Sequence, residues 1–197
     1  MSRTIAFDRN EVLQKAMTVF WKDGYSKSSI SNLVIATNLK PGSIYAAFES
    51  KEGLFLAALD NYAQQFISEL QVTLDNAPTP LQGIKDFIEK ITAEVLAKNQ
   101  QFGCFLVNTV LETSPEETLI IDKVNKHLKK IECILCSTLT SACEAGELPS
   151  TENPEILAKY LMVSIWGLRV LAKTNPDDQS VRAITDKIFE SLDKLPK

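Results

Sequence analysis

The sequence predicts an all-α protein with an N-terminal three-helix helix-turn-helix domain and a C-terminal helical bundle, about nine helices in total. Apolar residues recur with helical spacing along the chain, and no segment shows the sustained alternation of a strand. Short helical segments come first and longer ones follow, with glycine and proline residues between them. Hydrophobic residues make up 45% of the 197 residues, which is enough to bury a sizeable core.

The first half of the chain predicts four helices. Asp8 is a suitable N-cap for the first helix, which we expect to end near Gly24. A short second helix should run from about Ser29 to Thr37. Asn38 follows it, and asparagine tolerates the left-handed backbone of a tight turn.

The third helix should begin at Pro41, because proline is favoured in the first turn, and should reach about Phe48. Ser50 then caps a long fourth helix. Pro78 and Pro80 end it. Beyond them we predict helices at about 80–98, 102–112, 115–145, 153–173 and 177–194. The predicted domains are 1–50 and 51–197.

Charge is distributed unevenly along the chain. The formal net charge is -4, yet residues 1–51 hold seven basic and four acidic side chains, so this part carries about +3 and the remainder about -7. A basic end on an acidic protein attracts phosphate locally. Because no apolar run reaches eighteen residues and the N-terminus has no secretory signal, we expect a cytoplasmic protein.

The segment from Ser29 to Phe55 carries the functional information. Two short amphipathic helices around a tight turn are what a DNA-reading helix-turn-helix requires. Ile30, Leu33 and Val34 can pack on Ile44 and Phe48. The residues left facing outward are Lys40, Gly42, Ser43 and Tyr45. Small polar residues and a lysine at a helix start permit close approach to DNA.

This segment resembles the TetR (tetracycline-repressor-like) family of transcriptional regulators. The family pattern is matched in register by Ile30, Leu33, Gly42, Ser43, Ile44, Tyr45, Phe48, Ser50, Lys51, Glu52 and Leu54. Asn32, Val34, Asn38, Leu39 and Lys40 depart from the pattern. Ala46 and Ala47 replace residues that touch the DNA backbone in many members, which predicts fewer phosphate contacts here.

The resemblance implies a DNA-binding repressor that is released from a palindromic operator by a small-molecule inducer. The residues it places at DNA are Ser28, Ser29, Lys40, Pro41, Gly42, Ser43, Tyr45 and Lys51. For Ser29 a helix cap and a DNA contact are compatible, whereas Ser50 is better explained as a cap alone. Whether the regulator represses or activates stays open.

The same resemblance implies a homodimer paired through the last two long helices. The segment from Ile156 to Leu171 is apolar nearly all round, so it must be covered on both sides. The expected interface residues are Tyr160, Ser164, Gly167, Leu168, Leu171, Ile184 and Ile188. Gly167 either allows two subunits to approach closely or makes room inside one subunit.

A ligand cavity is expected inside the helical body. The candidate lining residues are Phe66, Phe102, Cys104, Phe105, Asn108, Tyr160 and Trp166, with Glu112 and His127 as further candidates. Ordinary core packing explains each of them as well, and the lysines around His127 favour a solvated position for it.

Cys104 follows Gly103 at a predicted helix start, where a helix N-terminus favours a reactive thiolate. Some family members with a similar stretch resemble electrophile or oxidant sensors, so Cys104 is either such a sensor or a buried core residue. We expect no cofactor and no metal site, because the C-x-x-C pair Cys133 and Cys136 has no second pair.

Two other classes of function fit the sequence less well. An enzyme is disfavoured because the sequence holds no glycine-rich phosphate loop, no H-E-x-x-H motif and only one histidine. A helical adaptor that binds protein alone leaves the outward-facing residues near Tyr45 unexplained.

Overall fold

A computed structural model describes residues 7–97 and 102–193. Within these ranges the chain forms nine α-helices and one 3-10 turn, with no strand. The helices are α1 Arg9–Asp23, α2 Ile30–Thr37, α3 Pro41–Phe48, α4 Lys51–Asn76, α5 Pro80–Leu96, α6 Phe105–Glu112, α7 Thr118–Glu144, α8 Pro154–Leu171 and α9 Asp178–Asp193. The all-α prediction is confirmed.

Local capping chemistry sets the bounds of the first four helices. The Asp8 carboxylate accepts hydrogen bonds from the backbone N–H groups of Asn10 and Glu11, which begins α1. The Ser50 hydroxyl accepts from the N–H of Gly53 and begins α4. Asn38 ends α2 with φ 57° and ψ 24°, the left-handed conformation expected of it.

The second half differs from the prediction at three helix ends. Helix α6 begins at Phe105 rather than at 102, because Gly103 has φ 76° and Cys104 occupies the N-cap. Helix α7 begins at Thr118, three residues beyond the predicted start. Helix α8 ends at Leu171, and a 3-10 turn covers Ala172–Thr174. The predicted ends at 98 and 194 lie outside the described residues.

Helix α4 is the centre of the architecture. It packs against α1 and α3 at its N-terminal end and against α5, α6 and α7 along the body. Leu54, Ala58, Leu59 and Leu70 of this helix are fully buried. The side chains of the N-terminal helices and of the body share a continuous hydrophobic core that α4 crosses. Helix α4 therefore links the N-terminal helices directly to the body.

The left-handed turn at Asn38 gives a prediction for the stability of the N-terminal helices. Asn38→Ala should lower the free energy of unfolding by about 1 kcal/mol, because an alanine Cβ is unfavourable in the left-handed region. Asn38→Gly should be neutral or slightly stabilising, since glycine has no such penalty. Urea unfolding of both variants measures the difference. Equal stability of the two variants would contradict this account of the turn.

Candidate nucleic-acid interface and sensing cavity

Helices α2 and α3 form a rigid helix-turn-helix. The Ser29 hydroxyl accepts a hydrogen bond from the N–H of Asn32 at 3.1 Å and caps α2. Leu33 and Ile44 are fully buried between the two helices, and Phe48 is buried beside them. This packing fixes the angle of α3 and leaves its opposite face in solvent.

The outward face of α3 holds most of the residues predicted to lie at DNA. Lys40, Pro41 and Gly42 are exposed, Ser43 is half-buried, and Tyr45 keeps 47% of its surface exposed. Lys40 is the N-cap of α3, and its side chain makes no capping hydrogen bond. A Cβ placed on Gly42 would meet no atom within 4 Å. Packing inside the protein therefore does not require glycine at position 42.

Two predicted DNA contacts are corrected by the geometry. Ser28 is buried, and its hydroxyl donates to the carbonyl of Tyr25 at 2.7 Å. The Lys51 ammonium donates to the carbonyls of Tyr25 and Ser28 at 2.9 and 3.1 Å. It also lies 4.4 Å from the centre of the Tyr25 ring, a cation–π distance. The Lys51 side chain holds the α1–α2 loop against α4, and the Ser28 hydroxyl closes a turn within that loop, so neither faces outward.

An aromatic cluster joins the N-terminal helices to the body. Phe55 of α4 lies 5.0 Å from Phe20, 4.8 Å from Tyr25 and 5.5 Å from Phe105 of α6, measured between ring centroids. Burial, followed by the nearby Glu52 and Glu117 carboxylates, raises the pKa of Tyr25. We call the four rings of Phe20, Tyr25, Phe55 and Phe105 the junction cluster.

The body contains a small, mostly apolar cavity. It is lined by Tyr62, Phe66, Cys104, Leu106, Leu128, Ile131, Met162, Ile165, Trp166 and Arg169. The volume open to the centre of a water molecule is about 10 Å³, which is room for roughly one water. Three of the predicted lining residues, Phe66, Cys104 and Trp166, meet at this cavity. A larger ligand requires the walls to separate.

The other predicted lining residues lie elsewhere. Phe105 belongs to the junction cluster, and the Asn108 amide donates to the carbonyl of Phe102 at 2.7 Å. The ring of Phe102 packs 6.1 Å from Trp21. Tyr160 is 40% exposed on the outer side of α8. None of these four lines this cavity, but Phe105 and Asn108, together with Glu112, line a second small pocket beside the junction cluster.

Glu112 and His127 also lie away from the cavity. Glu112 lies against Gly24, next to the junction cluster. The His127 Nε2 atom is 2.7 Å from the Asp60 carboxylate, and the Lys123 ammonium is 2.8 Å from the other oxygen of Asp60. His127 is thus paired between α7 and α4 and is only 15% exposed, contrary to the solvated position expected for it.

A buried polar cluster borders the cavity and was not predicted. The Arg169 guanidinium is 2% exposed and lies 3.0 Å from the Glu94 carboxylate and 5.3 Å from the centre of the Phe66 ring. The Tyr62 hydroxyl donates to the Cys104 sulfur at 3.7 Å. Burial raises the pKa of Tyr62 and, against the effect of Arg169, that of Glu94. The available sequence signal is Arg169, the one charged residue after Lys159 in α8.

The outer side of α8 presents an exposed apolar stripe. Its members are Ile156, Tyr160, Val163, Gly167 and Val170, at alternating spacings of four and three residues. Ile184 of α9 is also exposed. A Cβ on Gly167 would meet no atom within 4 Å, so this glycine does not make room inside the subunit. Alternating spacing of this kind is typical of helices that pair lengthwise.

Two predicted interface residues are corrected. Leu168 and Ile188 are buried within their own subunit, and Ser164 and Leu171 are partly buried. The exposed stripe instead includes Ile156, Val163 and Val170.

Two further properties concern the described residues only. They hold no group of three or more His, Cys, Asp or Glu side chains placed to bind a metal ion. None of their helices combines the length and the apolar character needed to cross a membrane.

Comparison with known proteins places the chain in a family. Residues 12–58 match the model of bacterial regulatory proteins of the tetR family, and residues 80–188 match the tetracyclin repressor-like C-terminal domain. The HTH-type transcriptional repressor ComR of Escherichia coli K12 is 31% identical over 196 residues, which cover 99% of this chain and 93% of ComR.

Solved structures agree with this placement. A cysteine mutant of the TetR family transcriptional regulator CifR, complexed with 26 bp double-strand operator DNA, is 30% identical with a TM-score of 0.86 over 100% of both chains. A TetR regulator from Chloroflexus aurantiacus J-10-FL shares the fold, with a TM-score of 0.85, 22% identity and coverage of 95% of this chain and 94% of that one. The chain belongs to the tetR family of bacterial regulatory proteins and is a DNA-binding transcriptional regulator.

Proposed function

We propose that this regulator is a cytoplasmic repressor that binds a palindromic operator as a homodimer and is released by a small molecule bound in the body. The observation that carries the proposal is the outward face of α3, where Gly42 is open to solvent and nearly half of the Tyr45 surface is exposed. A face of this kind at a recognition helix suits the major groove. Two similar proteins support it: ComR is a repressor, and the CifR structure contains operator DNA.

The proposed dimer forms along the α8 stripe. A two-fold axis there would have to place two recognition helices on one side of the dimer, about 34–36 Å apart, to match one turn of B-DNA. Exposed apolar side chains on a monomer are favourable to bury against a second copy. A two-fold interface uses the same surface on both subunits, so the stripe of one subunit would pack against the stripe of the other.

The proposed release mechanism is a shift between two arrangements of the body. A ligand that binds better to the expanded cavity favours the expanded state by the difference in its affinity for the two states. Helix α6 connects the cavity to the N-terminal helices α1–α3, which we call the reader. Cys104 and Leu106 border the cavity, while Phe105 packs in the junction cluster. Expansion of the cavity would thus displace α4 and, with it, α3.

The proposed inducer class includes electrophiles that react with Cys104. This thiol is the N-cap of α6 and lines the cavity, with the Tyr62 hydroxyl 3.7 Å from its sulfur. An added group has no room in a cavity of about 10 Å³, so alkylation of the sulfur would force the walls apart. Reversible binding of a ligand without reaction would produce the same movement.

DNA reading is tested by enrichment of genomic fragments on the purified protein, with and without Gly42→Ala. The wild type should enrich a roughly palindromic site. Gly42→Ala should reduce affinity for it about tenfold or more, because the methyl group occupies space that DNA would fill. The variant should be as stable as the wild type, since alanine favours the helix. Tyr45→Ala should also lose the site.

Thermal unfolding and oligomeric state of each variant serve as controls for that experiment. A folded wild-type dimer that enriches no site at low salt would contradict the repressor proposal and favour a protein-binding adaptor.

The dimer is tested by placing a charge on the α8 stripe. Val163→Lys should convert the dimer to monomer at micromolar concentration, because a buried lysine without a partner is costly in an apolar interface. Val72→Lys is the matched control: Val72 is 56% exposed on α4 and Val163 is 62% exposed. Sedimentation equilibrium measures both. Dissociation by both variants, or by neither, would contradict this choice of interface.

The role of Cys104 is tested with iodoacetamide, which transfers its carboxamidomethyl group to the sulfur and releases iodide. One variant keeps only Cys104, with Cys133, Cys136 and Cys143 replaced by serine; the other is Cys104→Ser. Alkylation should lower operator affinity in the first variant and leave it unchanged in the second, as measured by fluorescence anisotropy. Loss of operator affinity when Cys104→Ser is alkylated would instead assign the sensor to α7, which carries the exposed Cys133.

A further inference from the structure

The centre of the DNA-facing side of α3 is formed by small residues. Gly42 and Ala46 lie four residues apart on one helical line, directly opposite the buried Ile44 and Phe48. Both are exposed, and the half-buried Ser43 and the exposed Tyr45 flank them. Because no Cβ protrudes at Gly42, the helix backbone can approach the groove floor closely enough for a side chain as short as that of Ala46 to reach a base edge.

The chemistry of this face limits how bases can be read. Among the described residues from 40 to 49 there is no arginine, asparagine or glutamine, the side chains that read purines best through paired hydrogen bonds. Lys40 is the one side chain with N–H donors in that range, and it is exposed at the start of the helix. The Ala46 methyl group offers an apolar contact, which suits the 5-methyl group of thymine.

We infer that Ala46 and Lys40 are the specificity-determining residues, with the Ala46 methyl group against a thymine methyl and the Lys40 ammonium on a guanine. This inference rests on the proposed operator binding. The two residues are six positions apart, or about 9 Å along a helix that rises about 1.5 Å per residue. At about 3.4 Å per base pair, the guanine and the thymine lie roughly two to three base pairs apart in each half-site.

The flanking residues have a different task. The Tyr45 and Ser43 hydroxyl groups, to either side of the Gly42–Ala46 line, suit phosphate oxygens, which position the helix without reading sequence. Ala47 follows Ala46 but is rotated by about 100° toward the protein and is partly buried. It therefore provides a matched control at which the same substitution leaves base reading intact.

The experiment begins with an operator selected from random duplexes by the full-length wild-type protein. Each thymine of the half-site is then replaced by uracil, which removes only the methyl group. One thymine per half-site should be sensitive, with about a fourfold loss of affinity, the value for one buried methyl group. The sensitivity should vanish in Ala46→Gly and persist in Ala47→Gly, which has an equal loss of helix propensity.

A second selection keeps the inference testable if Ala46→Gly binds too weakly. In Ala46→Gln, adenine should replace thymine at the uracil-sensitive position of the same strand, because glutamine contacts adenine through two hydrogen bonds. The preferences at the other base pairs should stay unchanged. Replacing the guanine two to three pairs away with 7-deazaguanine should weaken binding of the wild type but not of Lys40→Met.

Three results would overturn the assignment: no uracil-sensitive thymine, sensitivity that persists in Ala46→Gly, or a changed preference at a different pair in Ala46→Gln. A wild-type protein that selects no operator would instead refute the proposed function itself, before any test of Ala46.

Discussion

The packing of Phe55 between the N-terminal helices and the body is the contact on which the rest of the structure depends. Its ring meets Phe20 and Tyr25 on one side and Phe105 on the other. One turn earlier, Lys51 ties the carbonyl groups of the α1–α2 loop to the start of α4. Cores packed this closely have discrete arrangements rather than continuous ones. The reader and the sensing body are consequently one mechanical unit, joined at the start of α4.

Helix α6 lies between the cavity and the N-terminal helices. It is eight residues long, or about 12 Å. At its first turn it borders the cavity through Leu106, and at its last turn Glu112 lies against Gly24 near the reader. Because α6 is a single short helix, a rotation of its cavity end would also move Glu112 at its other end. The ion pair between Asp60 and Lys123 opposes independent movement of α4 and α7.

Features governed by local chemistry could be predicted from the sequence, and those governed by side-chain direction could not. The cap at Asp8 and the left-handed turn at Asn38 depend on neighbouring residues alone, and both were predicted. The direction of the Lys51 side chain is set by its contacts across to the α1–α2 loop, and that of Ser28 by a turn inside the loop, and helical spacing predicts neither. Helix α8 has apolar residues on two faces, so its periodicity did not show that Leu168 packs inward while Val163 faces outward.

The ion pair of the buried Arg169 with the partly buried Glu94 bears on how the proposed release could work. Breaking such a pair without replacing its partner is strongly unfavourable, because a charge is left in a medium of low dielectric. A wall that carries this pair resists gradual opening. In the proposed mechanism, a ligand that filled an expanded cavity and supplied new contacts to Arg169 would offset that cost in one state only. The difference in its affinity for the two states would then be the free energy available to move α4 and release DNA.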